Sequence, residues 1–335
     1  MASIRLLHLG KLDPEALHRA YAGLAEAQQA QDAPILLLAQ SDAHLSLGAA
    51  QGPGAELDRL ACERLGIPVL RRPLGGGVVW VDPGQLSYFF IFPMAVGMRR
   101  APELFDRIAP WVLAVHARFG LEVEARGGQD FWCRGRKIGG TGAASIGHSL
   151  VLGGSFILDA RWTSFADCVA APSAGFRTWL KEALEEGLCS WSRFLDRVVG
   201  PEAVLEACPA LLRAAGWDVV VARPTEAERG AMTHAELEDV DWEQAVRRRV
   251  RAGIKLKTGA FLTEQHWSDG EWLRVWTENG VFRRVAGSAW RVGRETLLAG
   301  LQPGSARLDE GLRELAGNGA ALWGKRLSET AVWTD

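Results

Sequence analysis

Two short stretches concentrate the residues with usable chemistry. In the first, Arg71-Arg72-Pro73-Leu74-Gly75-Gly76-Gly77 links the apolar run Ile67–Leu70 to Val78–Val81. Consecutive glycines let backbone approach a bound group without side-chain obstruction, and their N–H groups can converge on an anionic oxygen. The arginines at the loop entrance supply planar, permanently charged donors suited to phosphate or carboxylate. The same residues also suit an ordinary turn. Neither GxxxxGK[ST] nor GxGxxG is present, so this is not a Walker or Rossmann loop.

The second stretch is Gly135-Arg136-Lys137-Ile138-Gly139-Gly140-Thr141-Gly142-Ala143-Ala144. A lysine in a strand-like segment ahead of glycines can place its ammonium where negative charge develops on a phosphoryl or carbonyl oxygen. Taken alone, it also reads as a solvated lysine at a strand edge. Cys62, Cys133, Cys168, Cys189 and Cys208 form no CxxC or Cys/His ligand spacing, so no metal site is expected. Cys168 and Cys133 are candidate nucleophiles, but the neighbours of Cys168, Asp167 and Val169, offer nothing that lowers a thiol pKa. A buried helical cysteine is the competing reading there.

The elements that must position these residues follow from local pattern. Asp13-Pro14-Glu15 starts a helix with a capping carboxylate, a first-turn proline and an early acid, and the helix extends to about Gln29. A strand follows at Pro34–Ala39, and Leu57, Leu60, Ala61 and Leu65 give helical spacing over Gly54–Leu65. The turn Asp82-Pro83-Gly84-Gln85 separates Val78–Val81 from Leu86–Phe92, which together read as a hairpin. A long helix is expected over Pro102–Phe119. Strands are expected at Leu121–Glu124, Arg136–Gly139 and Leu150–Leu158, followed by mostly helical sequence over Thr163–Leu212. Character changes near residue 220, where acidic sequence leads into Arg247-Arg248-Arg249-Val250-Arg251. This predicts a small C-terminal α/β domain over 220–335 after a main domain over 1–215.

Composition narrows the class. The chain has 335 residues, 48% hydrophobic and 23% charged, with a net charge of −2. That is ample core material and no general nucleic-acid surface. No stretch approaches the ~18 apolar residues of a membrane span, and the N-terminus lacks a signal-peptide pattern. A soluble cytoplasmic protein is expected, with no nucleic-acid or membrane partner. The 14 Trp against 2 Tyr are lopsided, many of them after residue 160, without an evident role.

Order and spacing resemble the lipoate–protein ligase family, within the biotin/lipoate A/B protein ligase superfamily. Arg71 through Val78 resembles its Arg-Arg-x-Ser/Thr-Gly-Gly-Gly-Ala loop, and Asp82-Pro83-Gly84-Gln85 its His-Asp-x-Gly-Asn turn. Gly135 through Ala143 resembles its Gly-Arg-Lys-Ile-Ser-Gly-Ser-Ala strand, and Gly153-Gly154-Ser155-Phe156-Ile157 its His-Gly-Thr-Leu-Leu strand. Leu45-Ser46-Leu47-Gly48 with Gln51, and Gly128-Gln129-Asp130, add further similarity over roughly residues 15–200.

The resemblance implies an α/β (α+β) fold: a mixed, largely antiparallel sheet flanked by helices, of the class II biotin/lipoyl ligase kind. It implies Lys137 as the catalytic residue at the acyl and phosphate oxygens. It implies Arg71, Arg72, Gly75, Gly76, Gly77 and Val78 around the acyl and phosphate site, and Gly139, Gly140, Thr141, Gly154 and Asp130 beside the nucleotide. Val78, Val79 and Phe156 are candidates for an acyl-tunnel wall or for plain core.

ATP, Mg²⁺ and lipoate are the implied cofactor and substrates. A lipoyl-acceptor carrier, either a glycine-cleavage H protein-like protein or an E2 lipoyl domain, is the implied partner. Arg247–Arg251 reads as a docking patch for such a carrier or as a solvated helix face. An octanoyl or lipoyl transferase using a cysteine thioester, and a non-catalytic binder of acylated protein, are the alternative readings. Leu74, Val81 and Gly139 depart from the family's Ser/Thr, His and Ser, which bears on the acyl substrate more than on the fold.

Overall fold

The computed structural model describes residues 2–94, 100–160, 162–244, 250, 252–290 and 293–333. The basic run at 247–249 and 251 lies outside them, so neither reading of it is addressed. In chain order the elements begin β1 (Ala2–Leu12), α1 (Pro14–Ala27), β2 (Ile35–Ser41), β3 (His44–Leu47), α2 (Pro53–Glu56), α3 (Arg59–Leu65), β4 (Val69–Arg71), β5 (Val79–Val81) and β6 (Gln85–Pro93). They continue with α4 (Ala101–Arg118), β7 (Glu124–Arg126), β8 (Asp130–Cys133), β9 (Arg136–Ile146), β10 (Ser149–Ile157), α5 (Thr163–Cys168), α6 (Ala174–Gly187), α7 (Pro201–Ala214), β11 (Trp217–Ala222) and α8 (Glu226–His234). The last are β12 (Gly253–Lys257), β13 (Ala260–His266), β14 (Trp272–Glu278), β15 (Val281–Gly287), α9 (Ala306–Ala316) and α10 (Ala320–Thr330).

Contacts divide the chain into two units: 1–53, 59–165 and 188–244 form the first, and 54–58, 166–187 and 245–335 the second. Strand β11 and helix α8, which composition groups with the C-terminal region, therefore lie in the first. The first unit is built on an eight-stranded sheet ordered β11-β1-β2-β6-β10-β9-β8-β7. The β11/β1 and β1/β2 pairs are parallel and the others antiparallel, which is the mixed, largely antiparallel sheet expected. Successive side chains leave a strand on opposite faces. On one face Leu36, Leu38, Tyr88, Phe90, Leu152 and Phe156 pack with Trp111 and Val115 of α4 and Leu212 of α7. On the other, Leu37, Phe89, Ile91 and Val151 pack with Leu17, Tyr21 and Leu24 of α1.

Helix α1 starts where its capping pattern predicts, with the Asp13 carboxylate accepting from Ala16 N at 2.8 Å. The helix expected over 54–65 is interrupted at Leu57-Asp58, where Leu57 bridges Val169 and Asp58 N donates to the Cys168 carbonyl. The expected hairpin is corrected. Strand β5 pairs with β3 in a separate three-stranded sheet, β4-β3-β5, while β6 lies between β2 and β10. Both edges of β6 are taken over most of its length, so β5 has no edge to join. The turn between them does form. Asp82 Oδ1 accepts from Gly84 N, Asp82 Oδ2 accepts from Trp80 Nε1, and Gln85 Nε2 donates to the Trp80 carbonyl.

The second unit holds the antiparallel meander β12-β13-β14-β15. One core joins Leu273, Val275, Phe282 and Val285 to Leu312 of α9 and Trp323 of α10. Several of its tryptophans carry arginines on their rings. Arg274 lies 5.1 Å from Trp179 and 5.0 Å from Trp272, and Arg326 lies 4.5 Å from Trp267 and 5.0 Å from Trp323. Tryptophan in this unit thus serves both as core and as a platform for cation–π stacking. Among the described residues no helix is long and apolar enough to cross a membrane.

Candidate active site

The Lys137 strand is bent by an inserted residue. Trp132 of β8 pairs with Lys137 and Phe131 pairs with Gly139, leaving Ile138 as an extra residue on β9. Such a bulge re-aims the adjoining side chains. Ile138 turns into the core beside Phe131. The Lys137 ammonium meets Asp130 Oδ1 at 2.9 Å. The Lys137 carbonyl is fixed from the other edge by the Cys189 N–H at 3.0 Å. Gly140 makes the room: a Cβ there would lie 2.9 Å from both Cε and Nζ of Lys137.

The glycine loop is tied to the same strand. Gly75 N donates to the Ala143 carbonyl at 3.2 Å, and a Cβ on Gly142 would meet the Gly75 oxygen at 2.6 Å. Gly76 has φ +105°, a conformation open to glycine and strained for other residues. Arg72 is the loop's internal clamp. Its Nη2 donates to the carbonyls of Gly75 (3.0 Å) and Gly77 (2.6 Å), and its Nη1 to the Ser46 carbonyl. Burial pulls the Arg72 guanidinium down to about 10, so it stays charged at neutral pH. Arg71 is 2% exposed and donates to the carbonyls of Ala49 and Gln51 and to Gln244 Oε1 at 2.7 Å. Both guanidiniums thus face the chain's own oxygens.

The structure therefore brings together Lys137, Asp130 and Gly140, and ties the loop Gly75–Gly77 to the same strand further along, at Gly142 and Ala143. Gly139, Thr141 and Gly154 belong to the alternate face of their strands. A Cβ on Gly139 would face Phe131, and one on Gly154 would run into the Tyr88 hydroxyl. Thr141 Oγ1 donates to the Gln129 carbonyl. Phe156 is core, packed edge-on against Trp111, while Val78 is half-buried and Val79 is 44% exposed. Leu74, in place of the family's hydroxyl, is 4% exposed and packs with Phe89 and Val151. Cys168 is fully buried in α5, and all five cysteines are buried and unbridged. Among the described residues no cluster of three His, Cys, Asp or Glu could hold a metal.

Sequence reasoning missed a buried relay beside the loop. His44 Nδ1 donates to the Asp42 carbonyl (2.8 Å), so its Nε2 accepts from His18 Nε2–H (3.2 Å), and His18 Nδ1 accepts from the Tyr21 hydroxyl (3.1 Å). Burial lowers both imidazoles, which keeps them neutral as this order requires. Tyr21 stacks on Phe89 at 4.3 Å. The only sequence signal was His18 and Tyr21 at i, i+3 on one helix face.

A lysine paired with a carboxylate on the strand that also ties down a clamped glycine loop, within a largely antiparallel sheet flanked by helices, describes the α/β scaffold. Residues 15–212 match the lipoyl protein ligase A/B catalytic domain, and the chain belongs to that family. Lipoate–protein ligase 2 of Staphylococcus aureus is 24% identical over 207 aligned positions, and the match covers 56% of this chain and 60% of that protein. This chain thus aligns with less than two thirds of that relative's length.

Solved structures share the fold, among them two of lipoate protein ligases. A bi-partite lipoate protein ligase from Thermoplasma acidophilum, studied with its E2 lipoyl domain, gives a TM-score of 0.60 at 20% identity. It covers 70% of this chain and 91% of its own. Lipoate-protein ligase A bound with ATP gives 0.57 at 21% identity, covering 69% of this chain and 93% of its own.

Proposed function

We propose that this protein is an ATP-dependent lipoate–protein ligase. The carboxylate of lipoate or octanoate attacks the α-phosphorus of ATP, forming acyl-AMP and releasing pyrophosphate. The amine of an acceptor lysine then attacks the acyl carbon, AMP leaves with the bonding pair, and the amine gives up a proton. The observation that carries this reading is the Lys137 ammonium, fixed by Asp130 over Gly140 beside a loop tied to the same strand. In that position it opposes negative charge developing on phosphoryl and carbonyl oxygens.

Arg72 contributes by shaping the loop so that the N–H groups of Gly76 and Gly77 face the phosphate, and Arg71 holds the loop entrance. Mg²⁺ fits as the nucleotide's counter-ion, because it is held largely by phosphate oxygens with one or two carboxylates. Asp130 Oδ1 already holds Lys137, so the phosphates would supply most of the ion's oxygens. The ATP-bound relative and the relative studied with an E2 lipoyl domain support ATP as co-substrate and a lipoyl domain as acceptor. An H protein-like carrier has the same acceptor chemistry. Buried, unbridged cysteines suit the cytoplasm.

The test is mass spectrometry of a lipoyl-acceptor domain incubated with the enzyme, ATP, Mg²⁺ and lipoate or octanoate. Acylation should require ATP, disappear with Lys137→Ala and persist with Cys168→Ala. Acylation from an octanoyl-carrier thioester without ATP, lost with Cys168→Ala, would establish a transferase instead.

A further inference from the structure

One row across the main sheet is floored by small residues. Asp130 pairs with Gly140, Ser155 with Ser87, and Ser87 with Ala39. Gly154 pairs with Thr141, so the next step of that antiparallel ladder sets Ser155 against Gly140. Strand alternation puts Ser155 on the face of Gly153, whose Cβ position meets Leu74 of the glycine loop. Gly140 shares its face with Gly142, which lies under Gly75. The Lys137 ammonium occupies that same face above Gly140. Strands are ~4.8 Å apart, so Ser155 stands about one strand from Gly140 and Ser87 one further.

The next row on this face is Gly142, Gly153, Phe89 and Leu37, and Leu74 covers its glycines. The serine row is therefore bounded on that side by the loop and by Phe89. Its hydroxyls are bonded to each other, Oγ to Oγ at 3.2 Å. Ser87 is 3% exposed and Ser155 half-buried. A hydroxyl carries one proton and two acceptor sites. When Ser87 donates to Ser155, the Ser155 proton is left for a third group on the side where the ammonium lies.

Resting on the acyl-adenylate reading, we propose that Ser155 contacts the substrate, its hydroxyl donating to the acyl carbonyl oxygen opposite Lys137. Ser87 is a positioning residue that fixes the Ser155 rotamer. The ligand class is a carboxylic acid and its mixed anhydride with AMP. When the acceptor amine attacks, the carbonyl oxygen gains charge, so this donor acts most strongly in the transition state.

The experiment uses the full chain with an octanoyl-sulfamoyl adenosine, which keeps the carbonyl and cannot be hydrolysed, together with single-turnover acyl transfer. Ser155→Ala should weaken analogue binding on the order of ten-fold and slow transfer roughly 10- to 100-fold. Ser155→Thr, which keeps a hydroxyl, should recover most of both. Ser87→Ala should slow transfer less and leave the KM for the acid unchanged. Binding and transfer by Ser155→Ala equal to wild type would overturn the assignment while the ligase reading stands. Equal losses in Ser155→Ala and Ser155→Thr with a lowered melting temperature would also overturn it, as a packing effect. Failure of the wild type to bind the analogue would remove the ligase reading and this assignment with it.

Discussion

Lys137 can oppose developing charge only where its ammonium is held, and the residue that permits this has no side chain. A Cβ at position 140 would press on the flexible end of Lys137 and lie 3.3 Å from Asp130 Oδ1. The lysine can swing away at little cost to packing, but its position is lost. Gly140→Ala should therefore leave the melting temperature nearly unchanged and slow acyl transfer about 100-fold, the effect of a displacement of roughly 1 Å. A melting scan with single-turnover kinetics checks it, and a large stability loss at retained rate would contradict it.

At this scale residue type was legible and direction was not. Arg71 and Arg72 offer the same donors to a phosphate as to a carbonyl, and only their burial against Ala49, Gln51, Gly75 and Gly77 shows which is met. Leu74 read as a lost hydroxyl in the loop. It is a core residue, reaching the Cβ position of Gly153.

Elements decide which face each group occupies. The β9 bulge at Ile138 drives one apolar side chain into the core and frees the lysine before it for the opposite side. The sequence Lys-Ile-Gly-Gly carries no mark of a bulge, because register depends on β8. The hairpin misreading has the same origin. Turn chemistry at Asp82–Gln85 was legible, but the partners of β5 and β6 depend on β3, β2 and β10, all remote in sequence.

Helix α4 adds a pH dependence. His116 donates through Nδ1 to the Val112 carbonyl, and burial pushes it down to about 4 from an ordinary 6.5. Between those values the unfolded chain binds the extra proton, so stability is full above about pH 6.5 and falls as pH drops toward 4. The loss from this residue is about 3 kcal/mol. His18 and His44 shift in the same direction. Urea unfolding from pH 7 to 4.5 should show the decline, and His116→Phe should flatten part of it. A pH-independent unfolding free energy would contradict this.

For the whole molecule, family membership was legible because glycine loop, turn, lysine strand and following strand recur in one order, which local propensity alone does not produce. The division into units was less so. Residues 54–58 and 166–187 join the C-terminal unit, and β11 and α8 join the first, through contacts no compositional shift reveals. The central claim is that the Lys137 site forms an acyl-adenylate. The most direct measurement is exchange of labelled pyrophosphate into ATP, with and without lipoate or octanoate and without any acceptor protein. Exchange that requires the acid and Mg²⁺ and is abolished by Lys137→Ala is the predicted result. Exchange absent in the wild type, or unchanged in Lys137→Ala, would contradict it.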